Sequence, residues 1–226
     1  MPAPAVLVDY VPGEMLSELV KTGRCTEAGW RSVGDAFRRL HAVRFPSGLT
    51  GRYEKGQIVL TPHDPVAALH ADLAAADLAT VLPEATKYVP RLHALIDSEA
   101  DQLRRTPTSL LHADVNAANI IVSTDRTVLI DWGHPLIGDP RGEIAALDEH
   151  VYLAGGGELP EAFFTAYGVS RAKLRLPVHR LTGTIGWLTS EDRDEWAADL
   201  TPELAVRTAG WRTALLRYLQ TELPKL

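Results

Sequence analysis

The segment from Leu110 to Gly133 constrains this chain more than any other. It reads Leu110-Leu111-His112-Ala113-Asp114-Val115-Asn116-Ala117-Ala118-Asn119, then Ile120-Ile121-Val122-Ser123-Thr124-Asp125-Arg126-Thr127-Val128-Leu129-Ile130-Asp131-Trp132-Gly133. Two apolar runs, 119–123 and 127–131, flank the polar residues Thr124, Asp125 and Arg126, which predicts a hairpin with a short loop. A register symmetric about Asp125 sets Ser123 opposite Thr127, Ile121 opposite Leu129 and Asn119 opposite Asp131. Directly opposed residues have Cβ atoms roughly 4.5–5.5 Å apart. An amide oxygen and a carboxylate therefore converge at the open end. Oxygen ligands of this kind suit Mg²⁺, which takes one or two protein ligands and fills its shell with phosphates and water. Asp114, in the loop entering the first strand, is placed to meet a substrate beside the metal. Any one of these residues alone reads more simply as a turn cap. Their convergence on one end of an apolar hairpin weighs the other way. Asp131 also closes a strand expected to be buried, where an ionised carboxylate is costly unless paired or metal-bound.

The flanking sequence is mostly helical. Residues 5–11 read as a strand, broken by Pro12-Gly13. Trp30, Val33, Phe37 and Leu40 line one helix face, with Thr26 as its N-cap. Residues 46–62, with Pro46, Gly48, Gly51, Gly56 and Pro62, read as a loop. Helical stretches follow at about 64–82 and 84–105, and again from Pro140 onward. In the last helix Thr201 is the cap and Pro202 the first residue, and Leu204, Thr208, Trp211, Leu215 and Tyr218 share a face. The fold class predicted is α+β, mainly α, with a small central β-hairpin.

Composition removes several classes of function. With 46% hydrophobic and 23% charged residues among 226, the chain can bury a core. No apolar run approaches the ~18 residues of a membrane span. The N-terminus lacks the basic residue and apolar length of a signal peptide, so a cytoplasmic location is expected. Twenty-three Lys and Arg against 29 Asp and Glu give a net charge of −6, not the basic footprint of a nucleic-acid binder. The single cysteine, Cys25, excludes a disulfide framework and a multi-cysteine zinc site, and reads as an ordinary free thiol.

The pattern His112-x-Asp114-x4-Asn119, then Ile130-Asp131-Trp132-Gly133, then Gly138-Asp139-Pro140, resembles the aminoglycoside phosphotransferase and choline kinase family. These are small-molecule kinases with a protein-kinase-like fold. Val6-Leu7-Val8-Asp9-Tyr10-Val11-Pro12-Gly13-Glu14 is similar to the family's hinge between lobes. Val33 to Val43, with its Leu40-His41 pair, is similar to the helix that follows. The resemblance implies a hinge-like segment at 1–12 and a kinase-like C-terminal lobe at 13–226, with its catalytic hairpin at 108–133. It implies transfer of the ATP γ-phosphoryl group to a hydroxyl of a small molecule. Asp114 would be the catalytic base, Asn119 and Asp131 would hold Mg²⁺, and His112 would brace the catalytic loop. Backbone groups around Val8, Tyr10 and Val11 would receive the adenine. The oligomeric state is left open.

The sequence departs from the family at three points. Ala113 stands where glycine is usual, Ala117-Ala118 replace a common Pro-Gly, and Glu143 stands for an Asp after Gly138-Asp139-Pro140. If residues 5–11 are the hinge strand, the phosphate-covering N-terminal lobe and its strand lysine are missing. None of Lys21, Lys55, Lys87, Lys173 and Lys225 precedes the hinge, and there is no G-x-G-x-x-G. Two other readings compete: a truncated or degenerate non-catalytic lobe kept as a relic or interaction module, and a metal-dependent hydrolase using His112 and Asp114. A further candidate is the acidic run Glu191-Asp192-Arg193-Asp194-Glu195 with Asp199, as a wall for a cationic acceptor or as the opening of a helix.

Overall fold

The computed structural model describes residues 10–133, 135–190 and 201–226. Helices dominate: α1 (Leu16–Lys21), α2 (Glu27–Leu40), α3 (Pro65–Ala75), α4 (Leu78–Val81), α5 (Val89–Arg105), α6 (Pro140–Leu153), α7 (Glu161–Tyr167), α8 (Arg171–Leu174), α9 (Pro177–Thr189) and α10 (Pro202–Glu222). The strands are β1 (Glu14–Met15), β2 (Arg44–Phe45), β3 (Leu49–Glu54), β4 (Gln57–Pro62), β5 (Thr108–Leu111), β6 (Ile120–Val122), β7 (Thr127–Leu129) and β8 (Leu136–Gly138). They form two antiparallel sheets, β1-β6-β7 and β2-β5-β8-β3-β4. No described helix is long and apolar enough to cross a membrane.

Local signals explain most helix ends. The Thr26 hydroxyl accepts from the Gly29 amide at 3.1 Å, as its position predicts. Asp64 and Asp77 cap α3 and α4 through the Val66 and Thr80 amides. These caps split the helix expected over 64–82 in two. The stretch from 84 opens as a 3₁₀ turn, Pro83–Tyr88, before α5 begins.

Two expectations are corrected. Residues 46–62 contain the paired strands β3 and β4. Their turn uses Lys55 and Gly56 at φ +48° and +84°, the left-handed pair that joins strands tightly. Gly51 is paired within β3, where a Cβ would sit 2.6 Å from the Val59 carbonyl oxygen, so this strand position calls for glycine. The predicted β6-β7 hairpin is shifted by one residue: Ile120 faces Leu129, Ile121 faces Val128 and Val122 faces Thr127. The Ser123 amide donates to the Arg126 carbonyl at 2.9 Å, and its hydroxyl lies 2.8 Å from Asp125 Oδ1. Ser123 and Arg126 thus close a loop of two residues, not three. Asn119 sits opposite Ile130, whose amide donates to the Asn119 carbonyl at 2.9 Å, and not opposite Asp131.

Two hydrophobic cores result. The first joins α1, α2, α6, α7 and the β6-β7 hairpin around Leu16, Phe37, Ile120, Ile144, Leu147 and Phe163. The second joins α3, α5, α9 and α10 around Leu92, Ile96, Leu181, Ile185, Leu215 and Leu219. In the first core Gly34 of α2 lies against α7, where a Cβ would stand 2.3 Å from the Phe163 carbonyl oxygen. That atom is backbone and cannot rotate away. Gly34→Ala should therefore lower stability by about 1–3 kcal/mol, the cost of overpacking, despite alanine's better helix propensity. Urea denaturation is the check, and an unchanged or raised midpoint would show that α2 and α7 do not meet so closely.

Candidate active site

β5 delivers His112 into the first core, where it is 2% exposed. Its Nε2 lies 2.8 Å from the Ile130 carbonyl oxygen, and its ring centroid is 4.5 Å from that of Trp132. This ties the loop after β5 to the chain leaving β7. The His112 Nδ1 is buried and has no hydrogen-bond partner among the described residues.

Ala113 adopts φ +68°, a left-handed conformation unusual for alanine. Its amide donates to Glu143 Oε1 at 2.8 Å. Glu143 Oε2 lies 2.8 Å from His41 Nε2, and His41 Nδ1 lies 2.8 Å from the Tyr167 hydroxyl. Burial pushes the Tyr167 phenol far up, so it stays protonated. His41 thus bridges the Tyr167 hydroxyl and the Glu143 carboxylate through its two ring nitrogens. Ser109 Oγ donates to the His41 carbonyl at 3.0 Å. Sequence reasoning did not single out this buried chain. Its only local signals were the Leu40-His41 pair and the unusual Glu143.

Beyond Ala113 the loop turns outward. Asp114 is exposed, while Val115 and Ala117 on either side of Asn116 are buried. Asn116 accepts from the Ala118 amide at 2.9 Å and opens a 3₁₀ turn, Ala117–Asn119. That turn aims Asn119 back along the loop, and its Nδ2 donates to Asp114 Oδ2 at 3.1 Å and to the Asp114 carbonyl at 3.2 Å. The structure thus brings Asp114 and Asn119 together.

Asp131 differs from expectation in burial. β7 stops at Leu129, and Asp131 is exposed beyond it at φ +62°. Aspartate tolerates this left-handed region, and the Gly133 amide closes the turn on the Asp131 carbonyl at 3.0 Å. The burial argument for a metal at Asp131 therefore lapses. What remains is an exposed carboxylate that no side chain bonds among the described residues. No group of three His, Cys, Asp or Glu there could hold a metal ion unaided. Val8 lies outside the described residues, as does the acidic run 191–199. Tyr10 is 86% exposed and Val11 partly buried. A cavity of about 630 Å³ opens beside Pro12, Gly13 and Glu14. Neither Tyr10 nor Val11 lines it.

Behind the loop, α6 carries two further ionisable groups. Burial would raise the Asp139 carboxyl, but His179, with Nε2 3.3 Å from Oδ2, and the hydrogen-bonded Arg141 guanidinium outweigh it and hold Asp139 well below the usual carboxylate range. Asp139 also caps α6 through the Arg141 amide at 2.9 Å. At the other end of the helix, His150 stands edge-on to Trp211 of α10, with ring centroids 6.3 Å apart. Burial pulls the imidazole down to about 4, against the opposing pull of the Asp114 charge.

Two measurements follow from this geometry. Ala113→Gly should raise stability by about 1 kcal/mol, because the left-handed conformation costs alanine about 1–2 kcal/mol and glycine nothing, less glycine's greater unfolded-state entropy. A fall in the denaturation midpoint would contradict the φ at this position. His150 takes up its proton near pH 6.5 when unfolded but only near 4 when folded. Between these values the unfolded state binds more protons, so stability falls as pH falls, by roughly 2–3 kcal/mol in all. Asp139, whose folded carboxyl is depressed, loses its contribution only below about 3.8, outside that window. His150→Gln should flatten the slope between pH 6.5 and 4, and an unaltered slope would place its origin elsewhere.

Comparison with known proteins bears on the family and the fold. The profile of the phosphotransferase enzyme family matches residues 1–177. No curated protein matches the sequence significantly. Among solved structures, the fold is similar to a choline/ethanolamine kinase family protein from Mesorhizobium loti. That match has a TM-score of 0.58 and 19% identity, over 94% of this chain and 67% of the other. It is also similar to a glucosamine kinase in complex with glucosamine, ADP and inorganic phosphate (0.58, 16%, over 92% and 59%). A third is the ADP-bound aminoglycoside phosphotransferase APH(2'')-Ib (0.52, 15%, over 95% and 71%). The chain thus spans about two thirds of the length of these structures, and the likeness is one of fold. The match over residues 1–177 covers well over half of the sequence: the chain belongs to the phosphotransferase enzyme family.

Proposed function

We propose that this chain serves transfer of the γ-phosphoryl group of ATP to a hydroxyl of a small molecule, with Asp114 at the acceptor. Family membership supports the reaction class. The observation that carries the site assignment is the Asp114–Asn119 hydrogen bond, on a loop whose backbone is held by buried Glu143. In this reading the Asp114 carboxylate orients the acceptor hydroxyl and takes its proton. The new O–P bond forms as the bond from the γ-phosphorus to the leaving ADP oxygen breaks. Asn119 Nδ2 keeps Asp114 turned to its task, which leaves the amide oxygen of Asn119 free to accept.

That oxygen and the exposed Asp131 carboxylate are the groups that would hold Mg²⁺. Both are hard oxygen donors, and two protein ligands are the usual complement when phosphates supply others. Mg²⁺ would neutralise phosphate charge. The proposed division is a hinge-like segment at 1–12, with backbone groups of Val8, Tyr10 and Val11 toward the adenine, and a catalytic lobe at 13–226. A cytoplasmic setting, where ATP is available, belongs to the same reading. The acceptors to try first are choline, ethanolamine, glucosamine and an aminoglycoside, after the names of the structural neighbours.

The test is turnover with Mg-ATP across these acceptors, beside Mn²⁺ line broadening as a metal readout. Asp114→Asn should cut kcat by about 10²–10⁴-fold, the range of a lost general base. Asp131→Ala should abolish broadening at the β6-β7 hairpin. An Asp114→Asn variant as active as the parent refutes the role given to Asp114. A chain that turns over no acceptor and broadens no resonance is better read as a non-catalytic interaction module.

A further inference from the structure

β4 ends its sheet in an uncharged, largely apolar edge. Its residues, Gln57 to Pro62, are all exposed, Ile58, Val59 and Leu60 at 49%, 41% and 39%. Tyr53, opposite Ile58 in β3, is exposed beside them. An open strand edge offers backbone donors and acceptors to another chain, and folds blunt such edges with charges, bulges or a covering element. β3 and β4 pair without a bulge, and the one blunting residue, Pro62, stands at the far end.

The turn decides which groups the edge presents. Lys55 and Gly56 join the strands in two residues, so Glu54 and Gln57 exchange hydrogen bonds and bonded pairs alternate from there. The His63 amide, donating to the Gly48 carbonyl at 2.9 Å, keeps the same phase. Gln57, Val59 and Thr61 therefore turn their N–H and C=O groups to β3, and Ile58 and Leu60 turn theirs outward.

These outward groups are self-complementary. A second β4 laid antiparallel across a two-fold axis at Val59 sets Ile58 opposite the partner's Leu60, and Leu60 opposite the partner's Ile58. Each pair exchanges two hydrogen bonds, and no outward group of Ile58 or Leu60 is left over. A register centred on Leu60 instead sets the Ile58 carbonyl against Pro62, which has no N–H. The Val59 register also brings Lys55, exposed and without an ion-pair partner among the described residues, opposite the partner's His63. Next to that histidine is Asp64, whose carboxylate is half exposed beside Arg104.

We propose that β4 docks on β4 of a second copy, joining two sheets across a two-fold axis centred on Val59. Tyr53 and Ile58 then continue into the partner's Leu60 on one face, and Val59 meets the partner's Val59 on the other. Six residues a side are few beside the roughly 20–30 of a standard interface, so the pairing depends on concentration and the dilute chain is monomeric. It does not rest on the phosphoryl-transfer reading.

Sedimentation velocity over a concentration series is the test. The chain should pass from monomer to dimer, and the Ile58 and Leu60 amides should exchange more slowly as it does. Val59→Lys sets like charges directly opposite each other across the axis and should weaken pairing about tenfold or more, as should Val59→Glu. An equimolar mixture of the two should recover the dimer, because lysine then meets glutamate. Val59 is exposed, so both variants should keep the circular dichroism of the parent. If one does not fold, the other carries the test. A chain that stays monomeric at every concentration overturns the inference. So does a dimer that survives the variants, which would put the contact elsewhere, or a mixture of folded variants that stays monomeric, which would remove the axis from Val59.

Discussion

One buried carboxylate governs the loop after β5. Glu143 takes the Ala113 amide on one oxygen and His41 on the other, so two donors answer a charge that burial alone would make costly. Ala113 is in the backbone region that alanine avoids, and its contact with Glu143 is part of what keeps it there. His41 in turn fixes Tyr167 and, through its carbonyl, Ser109 of β5. The strand entering the loop, the loop and the helix behind it are therefore positioned by one set of hydrogen bonds. The exposed Asp114 can be well placed although no side chain buries it, because its neighbours on either side are anchored.

α6 is the element that makes this possible. Its first turn supplies Glu143, and its apolar face supplies Ile144, Leu147 and Val151 to the first core. Asp148 on the same helix holds the Leu159 amide at 2.8 Å and Arg171 at 3.0 Å, fixing the chain on both sides of α7. Glu149 reaches Arg180 of α9 and so links the helix to the second core. One helix thus meets the loop and both cores.

Much of this was legible in the sequence, and the failures have physical causes. Thr26, Pro202 and the β-branched runs of the hairpin signal their structures locally. The hairpin register was missed by one residue because period-two alternation is indifferent to whether Arg126 belongs to the loop. The Ser123 hydroxyl and amide decide that. Residues 46–62 were hidden because the glycines and prolines that punctuate loops also serve strands, at a tight turn in Gly56 and at a close backbone approach in Gly51. The apolar run before Asp131 suggested burial, yet the strand ends two residues earlier. His41 and Glu143 stand 102 residues apart, and no local pattern announces a pair that only the tertiary fold brings together. Glu143 has one methylene more than the usual aspartate and still reaches the loop.

β4 is, with β2, one of the two edge strands of its sheet, and it alone of the sheet's strands is exposed along its whole length. It pairs with β3 alone, whereas β5 and β8 each have a strand on both sides. Peeling it away breaks one ladder and uncovers no core residue, so it is among the least costly openings available to this chain. Under native conditions its amides should exchange with solvent by local opening, far ahead of those of β5. The sheet therefore loosens from the side away from the loop after β5, and thermal motion at that edge need not reach His112.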